Sequence, residues 1–376
     1  ASAPDPANVA VAIELLLKSS SPMIICGGGP VISGAMDELQ RFVERLDLPV
    51  ATSVSGKGVI AETHPNCLGV VGSNGGCDAA TAAVAAADLV IFIGCRAGSV
   101  TTERWSIPKA GAKIIHIDSD PMVIGASFDT DVALVGDARL ALAAFNMLLD
   151  GLGDRDMPGG FNGGAVAAKV QTARQTQFRG LATSDATPIL PERVVDSLNR
   201  LLPDNSVVVA DPGTPCPYMS AYLTMKKPGR RYITNRAHGA LGYALSASMG
   251  AHIGRPDAKT VSIMGDGSFA FTAGEFETVV RRNMPITFIV FSNSVFGWIK
   301  AGQKSGFGKR FFSVDFNRTD HAAVASAYGI KSWRVEQPGE LDAALAAALA
   351  HDGPSLVDVI SQPLQDAAAP VSEWIA

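Results

Sequence analysis

The chain has 376 residues, of which 47% are hydrophobic and 18% are charged, and its net charge is −5 at pH 7. This length is more than one ordinary domain needs, so two well-buried globular domains are expected. The sequence shows no basic tract for nucleic acid, no apolar run of the roughly 18 residues that would span a bilayer, and no signal-peptide pattern in residues 1–8. The five cysteines are scattered and form no CxxC pair, which disfavours a disulfide framework or a zinc site. We therefore expect a cytoplasmic protein without nucleic-acid or membrane partners.

Residues 1–150 alternate between predicted strands and predicted helices. The strands are short apolar runs, which lie at 23–26, 49–52, 89–94, 113–118 and 135–137. Apolar residues with helical spacing predict helices at 35–46 and 138–149. This alternation is typical of a parallel sheet with helices on both faces, so the first domain is expected to be a doubly wound, Rossmann-like α/β unit.

Residues 151–187 differ in composition from the segments on either side. They are rich in glycine and turn residues and poor in large apolar residues, which predicts a linker containing a polar helix near 165–179. The alternation resumes in residues 188–376, with strands at 206–210, 260–264, 286–292 and 355–360 and helices at 192–201, 239–253, 273–283, 321–328 and 339–350. A second doubly wound α/β domain is therefore expected.

A carboxylate and an amide follow two neighbouring strands of this second domain. Asp266 lies just past the carboxyl end of the 260–264 strand, where open α/β sheets bind ligands, and Asn293 follows the next strand. A strand–helix–strand crossover of this length places both side chains on one rim of the sheet. One carboxylate, one amide oxygen, a backbone carbonyl and phosphate oxygens make an octahedral Mg²⁺ shell. Gly267 lets the backbone approach a phosphate, which N–H groups near Phe296 and Gly297 could also meet.

Gly265-Asp266-Gly267 alone is weak evidence, because a tight turn of this kind occurs in many α/β sheets. Together with the spacing to Asn293 it resembles the signature of thiamine-diphosphate (ThDP) enzymes. The similarity is to the acetolactate synthase-like group, which includes 2-oxo acid decarboxylases and 2-hydroxyacyl-CoA lyases. The resemblance implies that Asp266, Asn293 and the carbonyl of Val295 hold Mg²⁺, and that the diphosphate lies beside Gly265, Gly267, Ser268, Asn293, Phe296 and Gly297. Ser292 departs from the pattern, since asparagine is usual there.

Two upstream stretches extend the resemblance. The strand at 206–210 ends in a turn whose family equivalent contacts the diphosphate, so the candidates are Asp211, Gly213 and Thr214; a plain loop is the alternative. In the family a bulky apolar residue wedges between the two cofactor rings, and Leu241 fills that position; otherwise it is a core residue at a helix start. The resemblance implies that the carbonyl of Gly239 accepts from the cofactor's 4′-amino group. His238 is a candidate for proton transfer, or a structural hydrogen-bonding residue.

The first domain resembles the family's middle domain, which binds FAD in some members, ADP in others and nothing in many. The glycines at 27–29 and the Gly94-Cys95-Arg96 turn sit at strand ends suited to a dinucleotide. Arg96 is followed by Ala-Gly-Ser and not by the Phe-Asp-Asp run of FAD-binding synthases. We expect no catalytic flavin and leave a structural nucleotide open. Gly302 stands where acetohydroxyacid synthases usually carry tryptophan, which counts against classical branched-chain acetolactate synthesis.

ThDP also needs a glutamate beside its pyrimidine ring, which in this family belongs to an N-terminal domain. The resemblance therefore implies a separate or cleaved pyrimidine-domain polypeptide of about 170–200 residues, the size of one domain. It also implies assembly into a dimer of heterodimers or higher, with a small-molecule 2-oxo acid or acyl-CoA substrate.

Four functions remain open on the sequence. The first is a ThDP- and Mg²⁺-dependent lyase or carboligase subunit acting on a 2-oxo acid, and the second is a 2-hydroxyacyl-CoA lyase subunit. The third, a nicotinamide-dependent dehydrogenase, would need a GxGxxG pattern that the glycines at 27–29 do not supply. The fourth, a non-catalytic regulatory homologue, is disfavoured by the presence of Asp266, Asn293 and Leu241.

Overall fold

A computed structural model describes residues 1–152, 160–236 and 238–372. The chain divides into two compact units. The first comprises Ala1–Gln175 with Met225–Arg230, and the second comprises Thr176–Thr224 with the residues from Arg231 onward. Within the described ranges, no helix is long and apolar enough to cross a membrane.

The first unit contains a six-stranded, all-parallel sheet in the order β3-β2-β1-β4-β5-β6. The strands are β1 Pro22–Cys26, β2 Val50–Thr52, β3 Cys67–Val70, β4 Leu89–Ile93, β5 Lys113–Asp118 and β6 Val132–Val135. The flanking helices are α1 Pro6–Leu17, α2 Gly29–Ser33, α3 Met36–Leu46, α4 Asp78–Ala85 and α5 Ala138–Gly151. Successive β1 side chains enter opposite faces: Ile24 packs in one core cluster and Ile25 in another. A continuous apolar run forms a strand here because both faces are covered.

The order of this sheet reverses between β1 and β4, where the glycines at 27–29 and Gly94 meet. A Cβ built on Gly27 would lie 2.1 Å from the carbonyl oxygen of Gly94, and one built on Gly29 would lie 2.6 Å from the Gly94 Cα. Close packing of two backbones therefore explains Gly27 and Gly29 without a ligand. The structural nucleotide, which the sequence left open, gains no support from this packing.

A helix occupies most of the segment predicted as a linker, and residues 153–159 of that segment lie outside the described residues. Helix α6, Gly163–Ala182, buries Ala167 and Val170 in the same core cluster as Ile25. Arg174 donates to the carbonyls of Leu68, Val70 and Gly75. The composition suggested a polar helix, but the few small apolar residues and one buried arginine dock its first half on the first unit.

The second unit has a six-stranded, all-parallel sheet in the order β11-β12-β10-β9-β7-β8. The strands are β7 Ser206–Ala210, β8 Tyr232–Thr234, β9 Lys259–Gly265, β10 Thr287–Ser292, β11 Lys331–Val335 and β12 Ser355–Ile360. The helices are α7 Pro191–Leu201, α8 Pro215–Tyr222, α9 Tyr243–Gly254, α10 Asp266–Thr272, α11 Phe276–Arg281, α12 Gly297–Gly306, α13 His321–Ala327 and α14 Leu341–Ala350. The predicted fold class, two doubly wound parallel-sheet units, is confirmed.

Several elements of the second unit differ from the sequence prediction, which had no counterpart for α8, α12 or β11. Helix α9 begins at Tyr243 and not at Gly239, because Gly239 and Gly242 both have positive φ, at 73° and 83°. The predicted helix at 273–283 is a 3₁₀ turn followed by α11, and α10 fills the turn before it. The three-residue strand β8 was missed, since so short a run carries no clear period.

Candidate functional site

The candidate site is built on the carboxyl ends of β7, β9 and β10, where the sheet order changes direction. The backbone N–H of Asp211, just after β7, donates to the carbonyl of Ile263 in β9 at 2.9 Å. Its carboxylate accepts from the N–H of Ala244 in the first turn of α9 at 3.0 Å. Burial raises the pKa of Asp211 to about 6, against the hydrogen bonds from Ala244 and the Ser268 hydroxyl. Asp211 therefore ties the start of α9 to the two strand ends.

Asp266 joins the ends of β9 and β10. One carboxylate oxygen accepts from the N–H groups of Asn293 and Ser294 at 2.7 and 2.6 Å, and the other accepts from Gly267 at 2.8 Å. The side chain is 3% exposed. Burial raises the pKa of the Asp266 carboxyl, and these three hydrogen bonds oppose the rise because they favour the charged form. The structure thus brings Asp266 beside Asn293, as the strand-end argument predicts.

The Asn293 amide is buried without a partner. Neither its oxygen nor its nitrogen has a hydrogen-bond partner among the described residues. An unsatisfied buried amide is costly, on the order of 1–3 kcal/mol, and such groups in native proteins call for a ligand or another explanation. A cation and a diphosphate oxygen would satisfy the carbonyl oxygen and the NH₂ group, respectively. The residue therefore fits the Mg²⁺ role that the resemblance implies.

The chain after Asn293 turns sharply. Ser294 has a positive φ of 58°, uncommon for a residue with a side chain. Val295 then faces Asp315 in an isolated antiparallel bridge, whose two hydrogen bonds run from Phe296 N–H to Val314 and from Phe316 N–H to Ser294. Neither bond uses the Val295 carbonyl, so that oxygen is not committed to the bridge. Sequence reasoning missed Ser294, since no motif marks a serine in the left-handed region.

Two glycines let the loops of the site meet. A Cβ on Gly267 would lie 2.5 Å from the ring of Phe296, which also packs edge-on against Phe316 at 5.2 Å. A Cβ on Gly297 would lie 2.9 Å from the Cβ of Leu364 and 3.3 Å from the hydroxyl oxygen of Thr214. The turn after β7 and the first turn of α12 are therefore neighbours. The absence of a side chain at Gly267 leaves room for the ring of Phe296, and the sequence did not predict this contact.

Leu241 lies beside the same turn. A Cβ on Gly213 would lie 3.4 Å from a methyl carbon of Leu241, which places the predicted wedge next to the predicted diphosphate turn. His238 is exposed and its backbone N–H donates to the Asn235 side chain at 3.4 Å. Gly239 is exposed as well, and residue 237 lies outside the described ranges. Gly265 and Ser268 are buried next to Asp266.

A metal here would depend on mixed oxygen donors. Among residues 1–152, 160–236 and 238–372, no group of three or more His, Cys, Asp or Glu side chains could hold an ion. Asp266 would act with the amide of Asn293 and the carbonyl of Val295. Oxygen donors of this kind suit Mg²⁺, which usually keeps substrate phosphates and waters as its other ligands.

Comparison with known proteins agrees with this geometry. Residues 9–145 match the model for the central domain of thiamine pyrophosphate enzymes, and residues 211–359 match the model for their C-terminal TPP-binding domain. Together the two models cover more than half of the chain. The chain belongs to the thiamine pyrophosphate enzymes. Thiamine pyrophosphate is ThDP, so the predicted family is confirmed, and neither matched description mentions a nucleotide.

Curated relatives match the chain across both of its units. The chain is 33% identical over 366 residues to a probable acetolactate synthase large subunit of Methanococcus aeolicus, covering 95% of the chain and 61% of the relative. A protein of the same description from Methanocaldococcus jannaschii is 32% identical over 369 residues, covering 96% and 61%. The acetolactate synthase isozyme 2 large subunit of Escherichia coli is 27% identical over 361 residues, covering 96% and 63%. The chain thus spans about three-fifths of the length of these relatives.

Proposed function

We propose that this chain supplies the diphosphate- and metal-binding half of a ThDP- and Mg²⁺-dependent carboligase or lyase that acts on a 2-oxo acid, as an acetolactate synthase does. The observation that carries the proposal is the buried, unpartnered amide of Asn293 beside the Asp266 carboxylate. The names of the relatives support the substrate class. When bound, ThDP supplies a nucleophilic carbon and an electron sink for the bond beside a carbonyl group.

The residues of the chain bind and orient the cofactor in this proposal. Asp266, Asn293 and the carbonyl of Val295 hold Mg²⁺. Gly213 and Thr214 would hold the diphosphate from one side and the first turn of α12 from the other, where the positive end of the helix dipole favours an anion. No side chain caps this helix at Phe296. Leu241 supports the cofactor between its rings, and the Gly239 carbonyl accepts from its 4′-amino group.

His238 has a separate place in the proposal. Its exposed position leaves the imidazole available to an incoming substrate, where it would hold or move a proton. The glutamate that activates the pyrimidine ring would come from a further domain or a partner polypeptide, and the complete enzyme would be a dimer of heterodimers or higher. The relatives are named large subunits, which is consistent with a role for this chain as one subunit of a multi-subunit enzyme.

Cofactor binding tests this proposal. The purified chain, with any copurifying polypeptide retained, is titrated with ThDP, thiamine or inorganic pyrophosphate, each with Mg²⁺ or with EDTA, and its thermal midpoint is measured. We expect ThDP and pyrophosphate to raise the midpoint only with Mg²⁺ and thiamine to have no effect, because this half binds the diphosphate. A shift that is equal with thiamine or unaffected by EDTA would contradict the proposal.

A substrate panel then separates the two chemistries. The complete enzyme is given pyruvate, other 2-oxo acids or a 2-hydroxyacyl-CoA, and the products are identified. Carbon dioxide with a 2-hydroxy-2-methyl-3-oxo acid supports the acetolactate synthase-like reaction. An aldehyde with an acyl-CoA product would favour the 2-hydroxyacyl-CoA lyase instead. That alternative stays open because Gly302 stands where acetohydroxyacid synthases usually carry tryptophan.

A further inference from the structure

A buried polar network adjoins residues 293–295 after β10, which carry two candidate metal ligands and are called the metal turn below. Ser292 is the last residue of β10, His321 the first of α13, and Asp358 stands in β12. Asp358 is 0% exposed, and both of its oxygens are used. One accepts from the hydroxyl of Ser292, while the other accepts from the backbone N–H of His321 and from the Arg334 guanidinium, each at 3.1 Å. The carboxylate thus ties β10, β11 and α13 to β12.

The direction of these bonds fixes the role of Ser292. Its hydroxyl donates its single hydrogen bond to Asp358. The Ser292 oxygen therefore accepts from Nδ1–H of His321 at 2.9 Å. In a nucleophilic triad the serine would instead donate to the imidazole and face an open cleft. Here Ser292 and His321 are both buried. The network is therefore built to hold a position and not to attack a substrate.

The position that it holds is the metal turn. Ser292 immediately precedes Asn293 and Ser294, which supply two of the three N–H groups that bind Asp266. From the other side, the ring of His321 packs edge-on against Phe269 of α10 with centroids 5.1 Å apart, three residues after Asp266. The network contacts both of the segments that carry candidate metal ligands.

We propose that Ser292, His321 and Asp358 are positioning residues that fix the main chain at the end of β10 and so aim the Asn293 amide and the Val295 carbonyl at Mg²⁺. This inference rests on the proposed function. Mg²⁺ demands near-octahedral geometry with short bonds, whereas Ca²⁺ tolerates looser and longer ones. Loosening the turn should therefore weaken Mg²⁺ more than Ca²⁺.

Ser292→Ala tests the proposal, with Ser355→Ala as a matched control. Ser355 is buried at the opposite end of β12, where its hydroxyl bonds Thr287 and the carbonyl of Ala348. The concentration of Mg²⁺, and separately of Ca²⁺, needed for half-maximal ThDP binding is measured for each protein as it is purified. We expect Ser292→Ala to raise the Mg²⁺ requirement about tenfold and the Ca²⁺ requirement by much less, the size expected for outer partners of a metal site. Ser355→Ala should change neither.

Equal shifts for the two serine variants, or equal shifts for the two metals, would overturn the inference. If Ser292→Ala does not fold, His321→Phe takes its place, since it keeps a ring against Phe269 and removes the Nδ1–H donor. That variant should also raise the Mg²⁺ requirement selectively, and an unchanged requirement would refute the network's role. ThDP binding by the unmodified chain that needs no divalent metal would refute the proposed function as well, so the two failures are distinguishable.

Discussion

The two units share one architecture, but their strand ends differ. In the first unit the point where the sheet order reverses is filled by backbone, with Gly27 and Gly29 packed against Gly94. In the second unit the equivalent ends carry the buried carboxylates of Asp211 and Asp266 and an amide without a partner at Asn293. Glycine at a strand end can therefore mean close packing alone. Buried carboxylates gathered at strand ends beside an amide without a partner are the stronger sign of a ligand site.

The largest effect is expected from Asp266→Ala. This substitution removes a candidate metal ligand and leaves three backbone N–H groups without their acceptor. We expect Mg²⁺-dependent ThDP binding to weaken by about 100-fold or more, since even outer partners of a metal site are worth about 10–100-fold and Asp266 is a candidate ligand. Isothermal titration measures the loss. Asp257→Ala, an exposed carboxylate near the opposite end of β9, is the control and should bind normally; similar binding by both variants would refute the site.

Gly27→Ala probes the first unit. Its Cβ would meet backbone atoms that cannot move aside, so we expect the free energy of unfolding to fall by about 3 kcal/mol. Gly28→Ala is the matched control, because a Cβ there has its first contact at 3.5 Å. Denaturant titration gives both values. ThDP affinity of the folded protein should stay unchanged in the two variants, and a selective loss of affinity in Gly27→Ala would break the contrast between the units.

Glu192 shows that a buried acid alone does not mark the site. It is 2% exposed in α7, and burial raises its pKa from 4.5 to about 7. Because the folded chain holds this proton more tightly than the unfolded chain, the free energy of unfolding falls as the pH rises from about 4.5 to about 7. Glu192→Gln removes that dependence, which is worth about 3 kcal/mol.

Denaturant titrations at a series of pH values measure the Glu192 effect. The exposed acid Glu277, changed to Gln, is the control and should follow the unmodified chain. Parallel pH profiles for Glu192→Gln and the unmodified chain would show that Glu192 does not bind the extra proton. ThDP affinity should be the same in all three proteins.

A smaller effect is expected from Gly267→Ala. The new Cβ would meet the edge of the Phe296 ring, which can rotate away at some cost to the turn. We expect about a tenfold loss of ThDP affinity, or about 1.4 kcal/mol. Phe296→Leu in the same chain should restore part of the loss, because the ring no longer occupies that space. Failure of the second change to restore any affinity would mean that Gly267 serves the phosphate and not the ring.

Local sequence patterns were enough to predict most of the strands, though not β3, β8 or β11, and the rim of the candidate site. Apolar runs ending at Asp266 and Asn293 indicated two strands, and the strand-end rule placed both side chains on one rim. Contacts between distant segments could not be predicted, since nothing local to Gly27 shows that Gly94 will lie against it. The same limit hid the ring of Phe296 over Gly267 and the bond of Ser292 to Asp358. The start of α9 was missed because the positive φ of Gly242 is a property of the folded loop.

The central claim is that the Asn293 amide is kept for a ligand, and Asn293→Ala tests it most directly. Because the amide has no partner in the described residues, removing it should leave the ligand-free chain as stable as before or more stable. The same change should raise the Mg²⁺ concentration needed for ThDP binding more than tenfold, since an outer partner of a metal site alone is worth about tenfold. Thermal unfolding with and without Mg²⁺ and ThDP gives both quantities in one experiment. Unchanged ligand binding, or a clear loss of ligand-free stability, would contradict the account.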